Sequence, residues 1–170
     1  MVVETKIEVK QLIKDYILLV YDIPASASKA RYEFLKKAKE IGAVPHTQSC
    51  YLLPYSEKAM EMANEIAVVG NAVVWKSTQQ DEKKALEITT DYESHIKLRC
   101  DRIEQRLAIA QDYMNDGKLG KANLMGIKTG KLLGQLAKIS ENFSRAWFVK
   151  RLNTLVNAWK MLYEPKQENK

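Results

Sequence analysis

The sequence has few cysteines and no long hydrophobic run, and each shortage excludes a class of protein. Two cysteines in 170 residues, Cys50 and Cys100, are too few for a disulfide scaffold. The strongest apolar run, Tyr16–Tyr21, is far shorter than the roughly 20 residues of a membrane-spanning helix. The opening MVVETKIEVK lacks the hydrophobic centre of a signal peptide. We therefore expect a cytoplasmic protein with reduced thiols and no membrane partner.

Acidic residues are scarce in one part of the chain. Between Gly117 and Tyr163 there are nine Lys or Arg and one acid, Glu141, which gives a net charge of +8. Residues 1–116 carry sixteen basic and eighteen acidic side chains, a net charge of −2. A basic rear behind a mildly acidic front points to nucleic acid or another anionic surface as a partner.

Hydrophobic periodicity predicts an α+β fold whose front part has the order β-α-β-β-α-β. Ser26 or Ser28 is expected to cap one helix, which Gly42 ends, and Ser56 is expected to begin a second helix. This order is typical of a ferredoxin-like domain, assigned to residues 1–78, with one sheet face free to pair in a homodimer. The predicted strands are Asp15–Tyr21, Ala43–His46, Ser49–Leu53 and Ala72–Trp75.

Residues 79–170 are predicted to form a basic helical domain of about three helices. Apolar residues recur at helical spacing over Glu82–Asn115, Leu119–Asn142 and Ser144–Tyr163. Trp75, Trp147 and Trp159 belong to apolar patterns, so we expect them in the core rather than on a base-stacking surface. The polar residues of these helices are therefore the ones to consider for binding.

The second of these helices carries a row of basic residues, spaced by seven, three, seven and seven. A solvated charged face usually mixes Glu with Lys, whereas acids are almost missing here. Unpaired lysine rows neutralise phosphates, so we expect the phosphate backbone of a nucleic acid to bind here, although a plain solvated face stays open. The expected contacts are Lys121, Lys128, Lys131, Lys138 and Arg145, with Lys150 and Arg151 on the third helix.

The same helix has a glycine at every fourth position, at Gly126, Gly130 and Gly134. Each costs a solvated helix about 0.8–1 kcal/mol relative to alanine. Close approach of another backbone is the expected compensation, so this helix should be buried over much of its circumference.

Asp22 follows the first predicted strand and has two interpretations. A carboxylate at a strand end can hold Mg²⁺ or Mn²⁺, and a dimer axis would bring two copies together. Alternatively, an acid before Ile-Pro and a serine-rich helix start is ordinary turn and capping chemistry. The residues favour the structural role, and no cofactor is required by the pattern.

The front of the chain also resembles known families. The segments YILLVYDIPASASKARYEFLKKAKEIGAVPHTQSCYLLP, VGNAVVWKS and TTDYESHIKLRCDRIEQRL are similar to the N-terminal domain of ChrB-type regulators of chromate resistance, over residues 14–107. Shared features are the strand with a proline step, the YLLP-like strand and the DY helix start, although Thr89–Thr90 stand where that family has a basic residue. In that family a larger C-terminal domain follows, and here the basic helices stand in its place. The resemblance implies transcriptional regulation.

VYDIP and QSCYLLP are also similar to the small ferredoxin-like subunit of CRISPR adaptation and to the related domain of phenylacetate-pathway repressors. In the CRISPR subunit the aspartate matched by Asp22 is the metal ligand at a homodimer interface. The resemblances thus imply a protein that acts on or beside nucleic acid.

The sequence as a whole predicts a homodimeric nucleic-acid-binding protein or regulator and favours a binding role over an enzymatic one. The alternatives are a metal-dependent nuclease with Asp22 as catalytic and metal-binding residue, and a module in which the glycine-containing helix docks a protein partner.

Overall fold

The computed structural model describes residues 11–24 and 26–164, which form a four-stranded antiparallel sheet and five helices. The α+β class is therefore confirmed. Strand order across the sheet is β2-β3-β1-β4, so the first strand lies between the third and the fourth. The elements in chain order are β1 (Asp15–Tyr21), α1 (Ser28–Glu40), β2 (Val44–Thr47), β3 (Cys50–Pro54), α2 (Glu57–Gly70), β4 (Ala72–Thr78), α3 (Glu82–Asn115), α4 (Leu119–Asn142) and α5 (Ala146–Tyr163).

Strand β1 is central because it pairs with β3 on one side and with β4 on the other. Ile17 and Leu19 have no exposed surface, and Ile17 lies opposite Leu53 of β3 and Lys76 of β4. Alternate side chains of a strand point to opposite faces, so Ile17, Leu19 and Tyr21 share the face that packs on the Phe34 ring of α1. A Cβ at Gly70 would overlap the same ring, which fixes α2 beside α1.

Local chemistry explains some of the helix ends. Ser56 caps α2 by accepting a hydrogen bond from the Ala59 amide at 3.0 Å, and Gly42 follows α1 with a φ of +94°. The predicted cap of α1 is wrong, because its N-cap is Ala27 and, within the described residues, no side chain forms a capping hydrogen bond. The helix starts at Ser28, so this serine is the first helical residue rather than the cap, and Ser26 lies one residue before the cap.

The helices α3, α4 and α5 pack on one another and on the front part. The Tyr92 hydroxyl of α3 donates to the Gly42 carbonyl at 3.0 Å, and Thr89 accepts from the Ile13 amide at 2.8 Å. Buried residues from the sheet and from all five helices form one hydrophobic core. The division into two domains at residue 78 stays a prediction. The first residues of the front domain, 1–10, and the last residues of the helical domain, 165–170, lie outside the described part. None of the described helices is long and apolar enough to cross a membrane.

The expectation that the tryptophans lie in the core is wrong for Trp75, which is 59% exposed. Strand β4 forms an edge of the sheet, and Trp75 lies on the same face as Val73, which is 52% exposed, and Val20 of β1, which is 39% exposed. Trp147 and Trp159 are half-buried. An apolar pattern in an edge strand therefore did not indicate burial.

Candidate nucleic-acid interface

Helix α4 presents its predicted lysines to solvent. The helix buries one side through Thr129, Leu133, Leu136 and Ile139, and this places the lysines of the row outside the core. Lys121, Lys128, Lys131 and Lys138 are all exposed. Among residues 11–24 and 26–164, none of the four forms a salt bridge.

These four residues, the lysine row, follow one side of the helix. At a rise of about 1.5 Å per residue the row is about 25 Å long, and at about 100° per residue it drifts by about 100° around the axis. Lys121 at one end lies over the Tyr113 ring, with its Nζ 5.8 Å from the ring centroid. The row is thus an extended cationic edge rather than a compact pocket.

Carboxylates from other helices approach the C-terminal half of the row. Lys131 and Lys138 line a groove of about 600 Å³ between α1, α2 and α4, which Glu40 and Glu65 also line. Glu141 pairs with Lys58 of α2, and this hydrogen bond, with the charge of Lys58 and then of Lys138, lowers the pKa of that carboxyl. The scarcity of acids within α4 therefore does not extend to its surroundings. Lys121 and Lys128 lie outside this groove.

The glycines of α4 explain how the helix is held. A Cβ at Gly126 would overlap the Tyr163 ring of α5, and one at Gly130 would lie 3.2 Å from Cζ2 of Trp159. The Tyr163 hydroxyl donates to the Ala122 carbonyl at 2.8 Å and Trp159 Nε1 to the Gly126 carbonyl at 3.0 Å. The close approach is thus made by aromatic side chains rather than by another backbone. Gly134 differs, because no described residue outside the local backbone of α4 lies within 4 Å of the Cβ it would carry.

The structure does not place Arg145 in the lysine row. Helix α4 ends at Asn142, and Arg145 is the N-cap of α5. Its side chain is half-buried, donates from Nη1 to Gln11 Oε1 at 2.9 Å and from Nη2 to the Gln11 carbonyl, and lies 3.6 Å from Glu93. The guanidinium also lies over the Phe143 ring. Arg145 therefore joins the segment before β1 to the helices.

The two basic residues predicted on α5 have different surroundings. Arg151 is half-buried and donates from Nη2 to Asp101 at 2.5 Å and to Glu104 at 2.9 Å. These hydrogen bonds outweigh burial and raise the pKa of the guanidinium. Lys150 is exposed. Of the two, Lys150 alone is left for contact with a ligand.

Asp22 lies exposed at the end of β1. The capping interpretation is wrong, because the N-cap of α1 is Ala27 and the helix has no side-chain cap. Among the described residues, no group of three or more His, Cys, Asp or Glu could hold a metal ion, so Asp22 belongs to no such group there. Metal binding by Asp22 therefore stays a prediction.

A second cationic feature was missed in the sequence. Arg99, Arg102 and Arg106 of α3 recur at helical spacing and line a cleft of about 210 Å³ together with Lys39 of α1. No carboxylate lines this cleft, whose remaining lining residues within the described part are Ile103, Leu132, Gln135 and Leu136. The pattern R-x2-R-x3-R in RCDRIEQR was a visible signal. The acids between the arginines offset their charge, so the net charge of this part of the chain did not indicate the cluster.

Comparison of the chain with protein-family models, with curated proteins and with solved structures finds no match. The resemblance to ChrB-type regulators, to the CRISPR adaptation subunit and to phenylacetate-pathway repressors therefore stays a prediction. Function has to be argued from the residues themselves.

Proposed function

We propose that the protein binds nucleic acid through its phosphate backbone, with the lysine row of α4 as the contact surface. The observation that carries this proposal is that four exposed lysines on one helix have no salt-bridge partner within the described residues. An ammonium group without a fixed carboxylate is free to replace the counterions of a phosphate chain, and this release drives backbone binding.

The length of the row suits a short stretch of duplex. About 25 Å of helix corresponds to about seven base pairs at 3.4 Å each. Lys121 and Lys128 are the strongest candidates because they lie away from Glu40 and Glu65. Phosphate contacts carry no sequence information, so the protein should bind different base sequences equally well.

The test is the salt dependence of binding to random duplex and single-stranded oligonucleotides, for the wild type and for Lys128→Ala with Lys131→Ala. Each duplex phosphate contact contributes about −0.9 to the slope of log affinity against log salt, so the double variant should flatten the slope by about 1–2. Affinity should fall alike on unrelated sequences. Folding should be preserved, because exposed substitutions usually change stability by about 0.5 kcal/mol or less.

The matched control is Lys83→Ala with Lys84→Ala, which removes the same charge from exposed positions at the start of α3. If net charge alone governs binding, the control flattens the slope equally and the row has no special role. A wild-type protein that binds no oligonucleotide at low salt would refute the function itself and would favour an acidic protein partner for this helix.

We further propose that the sheet and the helices α1 and α2 form a ferredoxin-like unit that assembles as a homodimer. Viewed from the other edge the order is β4-β1-β3-β2, with helices after β1 and β3, and this supports the ferredoxin-like assignment. The exposed side chains of Val20, Val73 and Trp75 lie on one sheet face, and an apolar patch of this kind is suited to a second copy of itself.

Light scattering should give about twice the chain mass of 19.5 kDa. Trp75→Lys should shift the mass toward the monomer, whereas Tyr32→Lys, at an exposed aromatic residue of α1, should not. A wild-type monomer at micromolar concentration would refute the dimer and leave the lysine row untouched.

A further inference from the structure

The cleft between α1, α3 and α4 concentrates positive charge that nothing in its lining neutralises. Arg99, Arg102 and Arg106 occupy one face of α3, and Lys39 approaches from the end of α1. Within residues 11–24 and 26–164, none of the four has a salt-bridge partner. The nearest acids along α3, Asp101 and Glu104, are turned to Arg151 of α5 instead.

Arg99 is held in place by the backbone. Its Nη1 donates to the Lys39 carbonyl at 2.8 Å and its Nη2 to the Ala43 carbonyl at 2.9 Å. A guanidinium has five N–H donors, so part of its capacity remains for a ligand. Burial lowers the pKa of Arg99, and the charge of Arg102 adds to this effect, whereas Tyr92 and Tyr51 oppose it. An anion in the cleft would compensate this partly buried charge.

The rest of the cleft is apolar. Ile103 and Leu136 are almost fully buried and Leu132 is half-buried. The volume of about 210 Å³ is small beside the roughly 300–1,000 Å³ of sites for drug-sized ligands, yet an apolar cavity of about 150 Å³ accommodates benzene. The cleft therefore has room for one anionic group and a ring-sized carbon group.

We propose that this cleft binds a small organic phosphate, with the phosphoryl group held by Arg99, Arg102 and Arg106. The carbon part lies on Ile103, Leu132 and Leu136. Arginine suits this role because its planar fork forms bidentate hydrogen bonds to phosphate oxygens. The site is separate from the lysine row and does not depend on nucleic-acid binding.

The probes are phenyl phosphate, inorganic phosphate and phenol, with binding measured by titration calorimetry. Phenyl phosphate should bind more tightly than inorganic phosphate, and phenol should not bind. Arg102→Gln with Arg106→Gln should weaken phenyl phosphate by about tenfold to a hundredfold, because charge-assisted hydrogen bonds are lost. The charge-matched control, Lys83→Gln with Lys84→Gln, should bind as the wild type does.

Further variants separate the parts of the proposal. Leu132→Ala should weaken phenyl phosphate and leave inorganic phosphate unchanged. If the double variant does not fold, the single variant Arg102→Gln, at an exposed position, still measures how the loss of one positive charge changes the affinity for phenyl phosphate. Equal affinity for phenyl phosphate and inorganic phosphate would overturn the organic part of the proposal, and binding unchanged by Arg102→Gln would overturn the site.

Nucleic acid provides the last comparison. The arginine double variant should keep the wild-type salt slope on oligonucleotides, while the lysine double variant should keep its affinity for phenyl phosphate. If phenyl phosphate does not bind and the arginine variant flattens the salt slope, the cleft belongs to the nucleic-acid surface and the proposal of a small ligand is wrong.

Discussion

Gly126→Ala is expected to destabilise the protein, although alanine is the better helix former. Helix propensity alone would favour the alanine by about 0.8–1 kcal/mol. The new methyl group would overlap the Tyr163 ring, which has to move and give up its hydrogen bond to the Ala122 carbonyl. Overpacking typically costs about 1–3 kcal/mol and a lost hydrogen bond about 1 kcal/mol, so the net loss in the free energy of unfolding should be about 1–3 kcal/mol.

Gly134→Ala is the matched control on the same helix. Apart from the local backbone of α4, no atom of the described residues lies within 4 Å of the Cβ it would carry, so this change should stabilise the protein by about 0.8–1 kcal/mol. Urea denaturation followed by circular dichroism measures both variants. If Gly126→Ala is as stabilising as Gly134→Ala, the packing described here is refuted, because α5 would then not lie against α4 at Gly126.

Three further predictions concern single side chains. Tyr92→Phe should cost about 1–3 kcal/mol at neutral pH, because it leaves the buried Gly42 carbonyl unpaired. Burial raises the pKa of Tyr92, so its contribution is complete below the unfolded pKa of about 10 and is lost as the pH rises toward the folded value. Denaturation at pH 9 and about pH 11 should therefore show a smaller alkaline loss in Tyr92→Phe than in the wild type, and an equal loss would contradict the assignment. Ser56→Ala should cost about 1 kcal/mol through the lost cap of α2, measured by urea denaturation, and no change would show that the bond to the Ala59 amide contributes nothing. Asp22→Asn should leave oligonucleotide affinity unchanged and abolish any Mg²⁺-dependent cleavage, and cleavage that survives the change would exclude this carboxylate as its metal ligand.

Much of the fold was predictable because local patterns determine where elements begin and end. The bounds of β1, α3 and α4 agree with the predicted ones, since an apolar run or a 3.6-residue period stops where turn residues such as Gly117 appear. Strand β4 was predicted too short. Its last residues, Lys76 to Thr78, are polar, and the pairing of Asp15 with Thr78 extends the strand through a contact distant in sequence.

The site was less predictable because partners of charged groups come from elsewhere in the chain. Arg145 is engaged by Glu93 and Gln11, and Arg151 by Asp101, and all of these residues are at least 50 positions away along the chain. Glu40 faces the lysine row for the same reason. A count of acids within one helix describes the charges of that helix alone. Whether its basic side chains are neutralised depends on which acids of other helices pack beside them.

The two cationic surfaces differ in a way that follows from the chemistry of the two side chains. Lysine ammonium groups are strongly hydrated, and the lysine row stays exposed to water, where screening keeps each contact weak and dependent on salt. Guanidinium groups are more weakly hydrated, and carboxylates accordingly pair with Arg145 and Arg151 where these are half-buried.

Arg99 is an exception, because it is half-buried but held by carbonyls rather than by an acid. With Arg102 and Arg106 beside it, an incoming anion would gain more there than at the lysine row, because a partly desolvated cluster is less screened. Binding in the cleft should therefore depend less on salt than binding to the row.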